Sequence, residues 1–462
     1  MATRPNIILI LADDMGYGDF GLFNDGPART PTLDALAAES VCFTQHYSGS
    51  CVCAPARAAL LTGRYPHRTG AIDTLEGRGL DRLALSERTL ADALGAAGYA
   101  TGLVGKWHLG ALDPRYHPNA RGFDEFAGFR GGWQDYYEWR LDRDGSYSDA
   151  DGRYLTDVFT DEAVGFIERH AREPFFLHVA YNAPHFPFQA PQEELDAFAE
   201  HDDLTRAVRT IYAMNRRMDR GVERILDALE RQGLRENTIV LFTSDNGPQF
   251  GGEGEDCTDR FNCHYHGAKG SVYEGGIRVP MLARWPAGFD GGRATDALTH
   301  FCDWFPTLLE AAGAESPREV ALDGQSLLGL LREQAAPPDL PRFWQWNRYT
   351  PVGECNAAVR DGDWKLVRPR IAEAMWVAPE DLAVDRGLKY EPHRHPSISE
   401  TPEPVRELPA LPPIELYNLA LDPGETENLA ARFPERAAGL LRALETWFDE
   451  VEAERRAIVD IV

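Results

Sequence analysis

The stretch Asn6-Ile7-Ile8-Leu9-Ile10-Leu11-Ala12-Asp13-Asp14 decides the fold. A short unbroken apolar run between polar residues reads as a strand buried on both faces, and such strands belong to parallel sheets covered by helices. This one ends abruptly in two carboxylates. The same pattern recurs further along the chain. Thr101–Val104 runs into Gly105-Lys106-Trp107-His108, Phe175–Tyr181 into Asn182-Ala183-Pro184-His185, and Thr238–Thr243 into Ser244-Asp245-Asn246-Gly247. Val279–Trp285 reads as a further strand. Between these runs the apolar spacing is helical: Leu33, Leu36 and Ala37 behind Thr30-Pro31, and Leu90, Ala93, Leu94 and Ala97 behind Ser86, with Thr30 and Ser86 expected as caps. Asp157–Arg169, a long segment from Leu204 to Arg231, and Trp304–Ala312 complete the helices. This alternation predicts an α/β fold, a large mostly parallel sheet flanked by helices.

The 462 residues favour two domains. Gln334-Ala335-Ala336-Pro337-Pro338 is the clearest linker, so a larger domain over 1–335 and a smaller one over 340–462 are expected. The smaller domain reads as an antiparallel sheet, Phe343–Trp346, Ala357–Arg360 and Trp364–Val367, covered by a helix from Pro434 to Arg455 that packs Ala438, Leu441, Leu444 and Phe448. Arg370 to Pro413, rich in Pro, Glu and His, is an excursion that fits either a flexible loop or a pocket rim. Lys plus Arg number 47 against 73 Asp plus Glu, a net charge of −26. That disfavours nucleic acid and anionic membranes as partners, and no apolar run approaches the roughly 20 residues of a bilayer span. Seven cysteines are too sparse and too odd in number for a stapled scaffold, and a Cys257–Cys263 clip stays open. Met1 to Pro5 leads straight into a strand. The expectation is a cytoplasmic protein, or an exported one whose leader has been removed.

In open α/β sheets ligands bind beyond the carboxyl ends of the strands. The residues named above therefore converge on one edge. Taken singly they are turn and cap residues. Together, Asp13, Asp14, Asp245 and Asn246 form an all-oxygen set suited to a hard divalent cation such as calcium or magnesium. Cys51-Val52-Cys53-Ala54-Pro55-Ala56-Arg57, continuing to Leu61-Thr62-Gly63-Arg64, places a cysteine at a helix start with Arg57 one turn on. A helix N-terminus lowers a thiol's pKa, so a reactive thiolate is one reading and a small buried residue the other.

Cys53-x-Pro55-x-Arg57 with Leu61-Thr62-Gly63-Arg64 resembles the signature of the type I sulfatases of the alkaline phosphatase superfamily. Gly105-Lys106-Trp107-His108-Leu109-Gly110, Ala183-Pro184-His185, Ser244-Asp245-Asn246-Gly247, and Lys269 with Tyr273 to Pro280 resemble further family segments in the same order. The resemblance extends to Arg360–Leu366 and Glu415–Leu419 and so covers nearly the whole chain. Cys51 does not fit, because Cys53 rather than proline stands two places on. Ala56 stands where many members carry Ser.

The resemblance implies a sulfatase in which Cys53 is oxidised to formylglycine by a formylglycine-generating or anaerobic maturing enzyme. The hydrated aldehyde would attack sulfur, and Asp13, Asp14, Cys53 in its oxidised form, Asp245 and Asn246 would hold calcium. Arg57 would position the diol, and Lys106 and Lys269 would clamp sulfate. His185, with Lys269, would protonate the leaving oxygen, and His108 would deprotonate the second hydroxyl to expel sulfate. The cations and the metal would gather in the pocket while the acidic excess stays outside.

The resemblance also admits a phosphonate monoester or phosphate diester hydrolase with the same machinery, a silent sulfated-glycan-binding protein, and, lower still, a cysteine hydrolase. The expected substrate is a sulfated small molecule or glycan, a carbohydrate ahead of a steroid or lipid. Trp133, Gln134, Asp135, Tyr136 and Tyr137 behind Gly131-Gly132, and Trp344, Trp346, Asn347 and Arg348, could stack on it or pack between domains. His264 and His266 could reach the pocket or decorate a loop.

Overall fold

The computed structural model describes residues 4–251, 254–317, 320–334, 338–390 and 394–459. Its spine is a 10-stranded sheet in the order Arg293–Thr295, Val41–Phe43, Met281–Arg284, Thr238–Ser244, Asn6–Ala12, Phe175–Ala180, Ala100–Lys106, Glu125–Phe129, Arg140–Arg143 and Ser146–Asp149. Asn6–Ala12 lies at its centre and pairs in parallel with Phe175–Ala180 and Thr238–Ser244, and Ala100–Lys106 continues the parallel run. All seven residues of Asn6–Ala12 are buried. Alternate side chains feed two cores: Ile8 and Ile10 join one, and Ile7, Leu9 and Leu11 the other. One core is roofed by the helices Leu155–Arg169 and Arg206–Arg231, the other by Cys53–Thr62, Leu90–Ala96 and Trp304–Ala312.

The expected helices are present, but their caps differ. Pro31–Ala38 follows Thr30, yet the Thr30 hydroxyl caps nothing; it accepts from the Gly21 N–H and bonds Asp34. The first turn is capped from a distance, because the Asp219 carboxylate accepts from the Thr32 and Leu33 N–H groups at 3.0 and 2.8 Å. Leu90–Ala96 is capped by Thr89, not Ser86: Thr89 Oγ1 accepts from Asp92 N and Asp92 accepts in return from Thr89 N, a capping box.

A second, 4-stranded antiparallel sheet holds Arg342–Gln345, Ala357–Asp361, Trp364–Arg368 and Glu415–Asn418. The helix Pro434–Arg456 covers it with Ala437, Leu440, Leu444, Trp447 and Val451. Leu444 apart, this face is turned one position from the expected set, because Trp447 packs between Tyr65, His67 and Phe343 and fixes the rotation. Of the expected linker, residues 335–337 lie outside the described residues. Lys365 ties this sheet to the large one. It is fully buried between Glu274 and Glu425, 2.9 Å from each, and Glu274 also accepts from the Tyr47 hydroxyl.

The excursion after Arg370 is structured over much of its course. It carries the helix Pro379–Tyr390, clamped to the turn Glu76–Arg78 by Arg78–Asp381 and by Gly77 N–H donating to Asp385. Residues 391–393 of the excursion lie outside the described residues. All seven cysteines are free thiols, Cys257 and Cys263 included. Among the described residues no helix is long and apolar enough to cross a membrane.

Candidate active site

The carboxyl ends of four adjacent parallel strands bring Asp13 and Asp14, Lys106 and His108, Asn182 and His185, and Asp245 and Asn246 to one edge. Backbone bonds fix this register, with Asp13 N–H donating to Ala183 O at 3.0 Å and Asp245 N–H to Ala12 O at 3.1 Å. Asp14 and His108 take left-handed backbone, φ 64° and 55°, a conformation costing non-glycine residues roughly 1–3 kcal/mol and concentrated at functional sites.

The helix Cys53–Thr62 enters this edge with its N-terminus, and all ten of its residues are buried. Arg57, 1% exposed, is locked on Asp245 Oδ2 through Nε at 3.0 Å and Nη2 at 2.8 Å, and its Nη1 donates to the Lys106 carbonyl at 3.2 Å. Its Nη2 also lies 3.6 Å from Asp13 Oδ1. Lys106 Nζ donates to Asp13 Oδ2 at 2.6 Å, and Lys269 Nζ to Asp14 Oδ2 at 2.8 Å. His185 Nε2 is 3.7 Å from the same Asp14 oxygen, and its Nδ1 is bonded to the Phe186 carbonyl at 2.6 Å. Donor atoms of Asp13, Asp14, Cys53 and His185 lie within 4.8 Å of one another. Asp245 and Asn246 stand beside them, with Asp14 N–H donating to Asp245 Oδ1 at 3.2 Å and Asn246 Nδ2 to Asp14 Oδ1 at 2.8 Å.

The electrostatics follow from burial. Desolvation and the neighbouring Asp245 push the Asp13 carboxyl up to about 8, against Lys106 and Arg57. Burial acts the same way on Asp14, but Lys269 and His185 outweigh it and hold that carboxyl well below the ordinary range. Burial would lower Lys269, yet Asp14 and Cys53 keep its ammonium firmly protonated. Burial, then Lys106 and Lys389, drive His108 well below the ordinary imidazole range; burial and Lys269 do the same to His185. Desolvation pushes the Cys53 thiol up to about 11 although Lys106 and Lys269 oppose it. Burial thus defeats the helix terminus, and the thiolate reading of Cys53 is corrected.

The residues fit a hard divalent cation. Asp13 Oδ1 and Asn246 Oδ1 are buried acceptors without a hydrogen bond, and such atoms are costly unless something electropositive meets them. Three carboxylates with an amide oxygen are the donor set such an ion prefers.

Several neighbours escaped the sequence reading. Glu76 Oε1 lies 3.8 Å from His108 Nε2, accepts from Gly132 N–H at 2.6 Å, and pairs with Lys389 from the excursion. A Cβ at Gly132 would stand 2.8 Å from two ring atoms of His108. Trp133 and Tyr137 border a cleft beside the site, as do Lys389 and Tyr390, so this part of the excursion is pocket rim. Trp344 and Trp346 are buried and bond Ser48 O and Asp73, so they are packing between the sheets rather than rim residues. His266 stacks on Tyr273 with centroids 4.1 Å apart, and His264 packs on Phe261.

A parallel sheet carrying a buried carboxylate cluster at its strand ends, with a helix head and paired cations closing over it, suits a hydrolase acting on an anionic ester. Comparison with known proteins specifies the branch. Residues 5–314 match the family described as "Sulfatase", and residues 264–385 match "N-sulphoglucosamine sulphohydrolase, C-terminal". Arylsulfatase J of Mus musculus is 30% identical over 478 residues, covering 96% of this chain and 75% of that protein. N-acetylgalactosamine-6-sulfatase of Homo sapiens is 36% identical over 381 residues, covering 74% and 68%. The solved structure of Ps i-CgsB in complex with k-i-k-neocarrahexaose superposes with a TM-score of 0.80 at 29% identity, covering 96% of this chain and 93% of that one. The chain belongs to the type I sulfatase family, and is a sulfuric ester hydrolase.

Proposed function

We propose that this sulfatase hydrolyses sulfate monoesters of carbohydrates, with a formylglycine at position 53 and a calcium ion in the carboxylate cluster. The relative named N-acetylgalactosamine-6-sulfatase and the neighbour solved with neocarrahexaose support the carbohydrate. Residues 1–335 would form the catalytic domain and 340–462 the smaller one. The observation that carries the reading is Cys53 at a helix head, buried among Arg57, Lys106 and Lys269 and the carboxylates they neutralise.

Asp13, Asp14, Asp245 and Asn246 would hold calcium, which would offset their charge and polarise a sulfate oxygen. Oxidised Cys53, completing that ligand set, would supply the nucleophilic hydroxyl. Lys106 and Lys269 are fixed ammonium groups at the place where sulfate oxygens gain charge, an arrangement that stabilises the transition state without reorganisation. Arg57, bonded to Asp245 and 3.6 Å from Asp13, sets a positive charge against this carboxylate pair. His185 is held through Nδ1 on Phe186 O, so Nε2 is the atom that carries a proton to the leaving oxygen. An entering anion raises that nitrogen's affinity for the proton. His108 is a neutral imidazole whose ring nitrogens make no hydrogen bond, and it serves as the base that accepts the proton during sulfate release.

The test is production together with a maturing enzyme, mass analysis of the peptide around residue 53, and kinetics on a sugar sulfate beside a phosphate diester. An aldehyde at residue 53 with higher kcat/KM on the sulfate supports the reading. Full activity with an intact thiol, or a preference for the diester, refutes it.

A further inference from the structure

Beside the Cys53 site lies a cleft of about 730 Å³, a volume that accommodates a ligand larger than one sugar ring. It adjoins the catalytic residues through its lining. Glu76 lines it and stands 3.8 Å from His108 Nε2. Trp133 lines it too and packs edge-on against Phe186, the neighbour of His185, with centroids 5.9 Å apart. Tyr390, 59% exposed at the end of Pro379–Tyr390, packs on Trp133 at 5.6 Å.

The chemistry of this cleft differs from that of the sulfate site. Two of its cations already face acids. Lys389 pairs with Glu76, Arg130 Nε lies 3.7 Å from Asp142, and Arg140 is laid over the Tyr147 ring at 4.3 Å. Glu138 and Asp149 add two further carboxylates to the wall, giving three cations against four acids. A sulfate or uronate in this space would meet two acid-paired cations and surplus negative charge, the kind of mismatch by which sites reject a wrong ligand. An uncharged pyranose meets the opposite: ring faces for its C–H surface and carboxylates that accept from its hydroxyls.

We propose that this cleft is a subsite for an uncharged sugar ring joined glycosidically to the sulfated unit, and that it selects against substrates whose neighbouring ring carries sulfate or carboxylate. The proposal rests on the carbohydrate-sulfate reading above. The enzyme binds its substrate as at least a disaccharide, with the sulfated ring over residue 53 and the neutral ring against the wall formed by Trp133 and Tyr390.

The experiment compares three substrates for the matured enzyme: galactose 6-sulfate, lactose sulfated at the galactose 6-hydroxyl, and the analogue with glucuronate in place of glucose. The lactose compound is expected to exceed both others in kcat/KM by about tenfold, the scale on which one stacked ring contact counts. In Tyr390→Ala that ratio falls severalfold. Independently of turnover, tryptophan fluorescence is titrated with lactose, N-acetyllactosamine and cellobiose. At least one is expected to perturb the parent, and to do so more weakly in Tyr390→Ala. Equal rates on the three sulfates, a preference for the glucuronate analogue, or a preference for the lactose compound that Tyr390→Ala leaves intact overturn the subsite while the sulfatase reading stands. No response to any neutral disaccharide does the same. Saccharide binding without sulfate release from any compound leaves the subsite standing and removes the carbohydrate-sulfate reading instead.

Discussion

Replacing Arg57 by Met should destabilise the metal-free protein, abolish turnover, and yet strengthen calcium binding. Arg57 is 1% exposed and pairs with the buried Asp245 carboxylate at 2.8 Å, with Asp13 3.6 Å away. At an effective dielectric of about 20 that attraction is roughly 4 kcal/mol before desolvation is counted. Removing one partner of a buried pair costs about 3–5 kcal/mol in practice. For 462 residues, an unfolding entropy of about 2.1 cal/mol/K per residue means that each kcal/mol moves Tm by only about 1 °C, so a drop of about 3–5 °C is expected. Calcium reverses the comparison. The guanidinium is a positive charge beside the carboxylates that would hold the ion, so its loss removes repulsion and leaves more negative charge to be satisfied. The rise in Tm on adding calcium should therefore be larger in Arg57→Met than in the parent. The assay is scanning calorimetry of both proteins in chelator and in saturating calcium, with 4-nitrophenyl sulfate turnover alongside. A smaller calcium shift in the variant, or an unchanged metal-free Tm, would refute the reasoning.

Three further outcomes are expected. Gly132→Ala should cut kcat by about 10²-fold, the cost of displacing a reacting group by the order of 1 Å, because its Cβ would stand 2.8 Å from the His108 ring; unchanged kcat on 4-nitrophenyl sulfate would disprove it. Metal-free protein should lose stability as pH rises from about 4 towards about 8, since Asp13 folded keeps its proton up to about 8 while the unfolded chain releases it near the ordinary value. Calcium should flatten that slope, and parallel slopes in calcium and chelator would count against it. Lys365→Met should cost about 3–5 kcal/mol by stranding Glu274 and Glu425, measured by denaturant melts, and an unfolding free energy equal to the parent's would exclude that role.

Much of the site was legible because chemistry and topology coincide in the sequence. Each strand that supplies a site residue is an apolar run with its polar group directly behind it, so finding the run also finds the ligand. Asp13, Lys106, His185 and Asp245 were read in this way. What stayed illegible is what depends on distant partners. Asp219 caps the helix at Pro31 from a helix 186 positions away in sequence, and no local pattern marks it. Glu76 and Lys389, paired across 313 positions, sit in a segment that carries no sequence signal and in the excursion. The covering helix was turned because leucine spacing alone fits two adjacent faces, and Trp447 chose between them. The thiolate reading failed for a related reason: a helix start is visible in sequence, but the completeness of burial around Cys53 is not.

That burial has a consequence for timing. Cys53 is 2% exposed and the helix it opens is buried along its whole length, so an enzyme that oxidises Cys53 must reach it before the chain closes. The central sheet cannot close early, because Asn6–Ala12 pairs with Thr238–Ser244. At ribosomal rates of about 5–20 residues per second, synthesis from Cys53 to Ser244 takes roughly 10–40 s. The fold itself thus keeps an interval open during biosynthesis, and a substitution that hastened folding of the first 240 or so residues would shorten the time in which Cys53 can be reached.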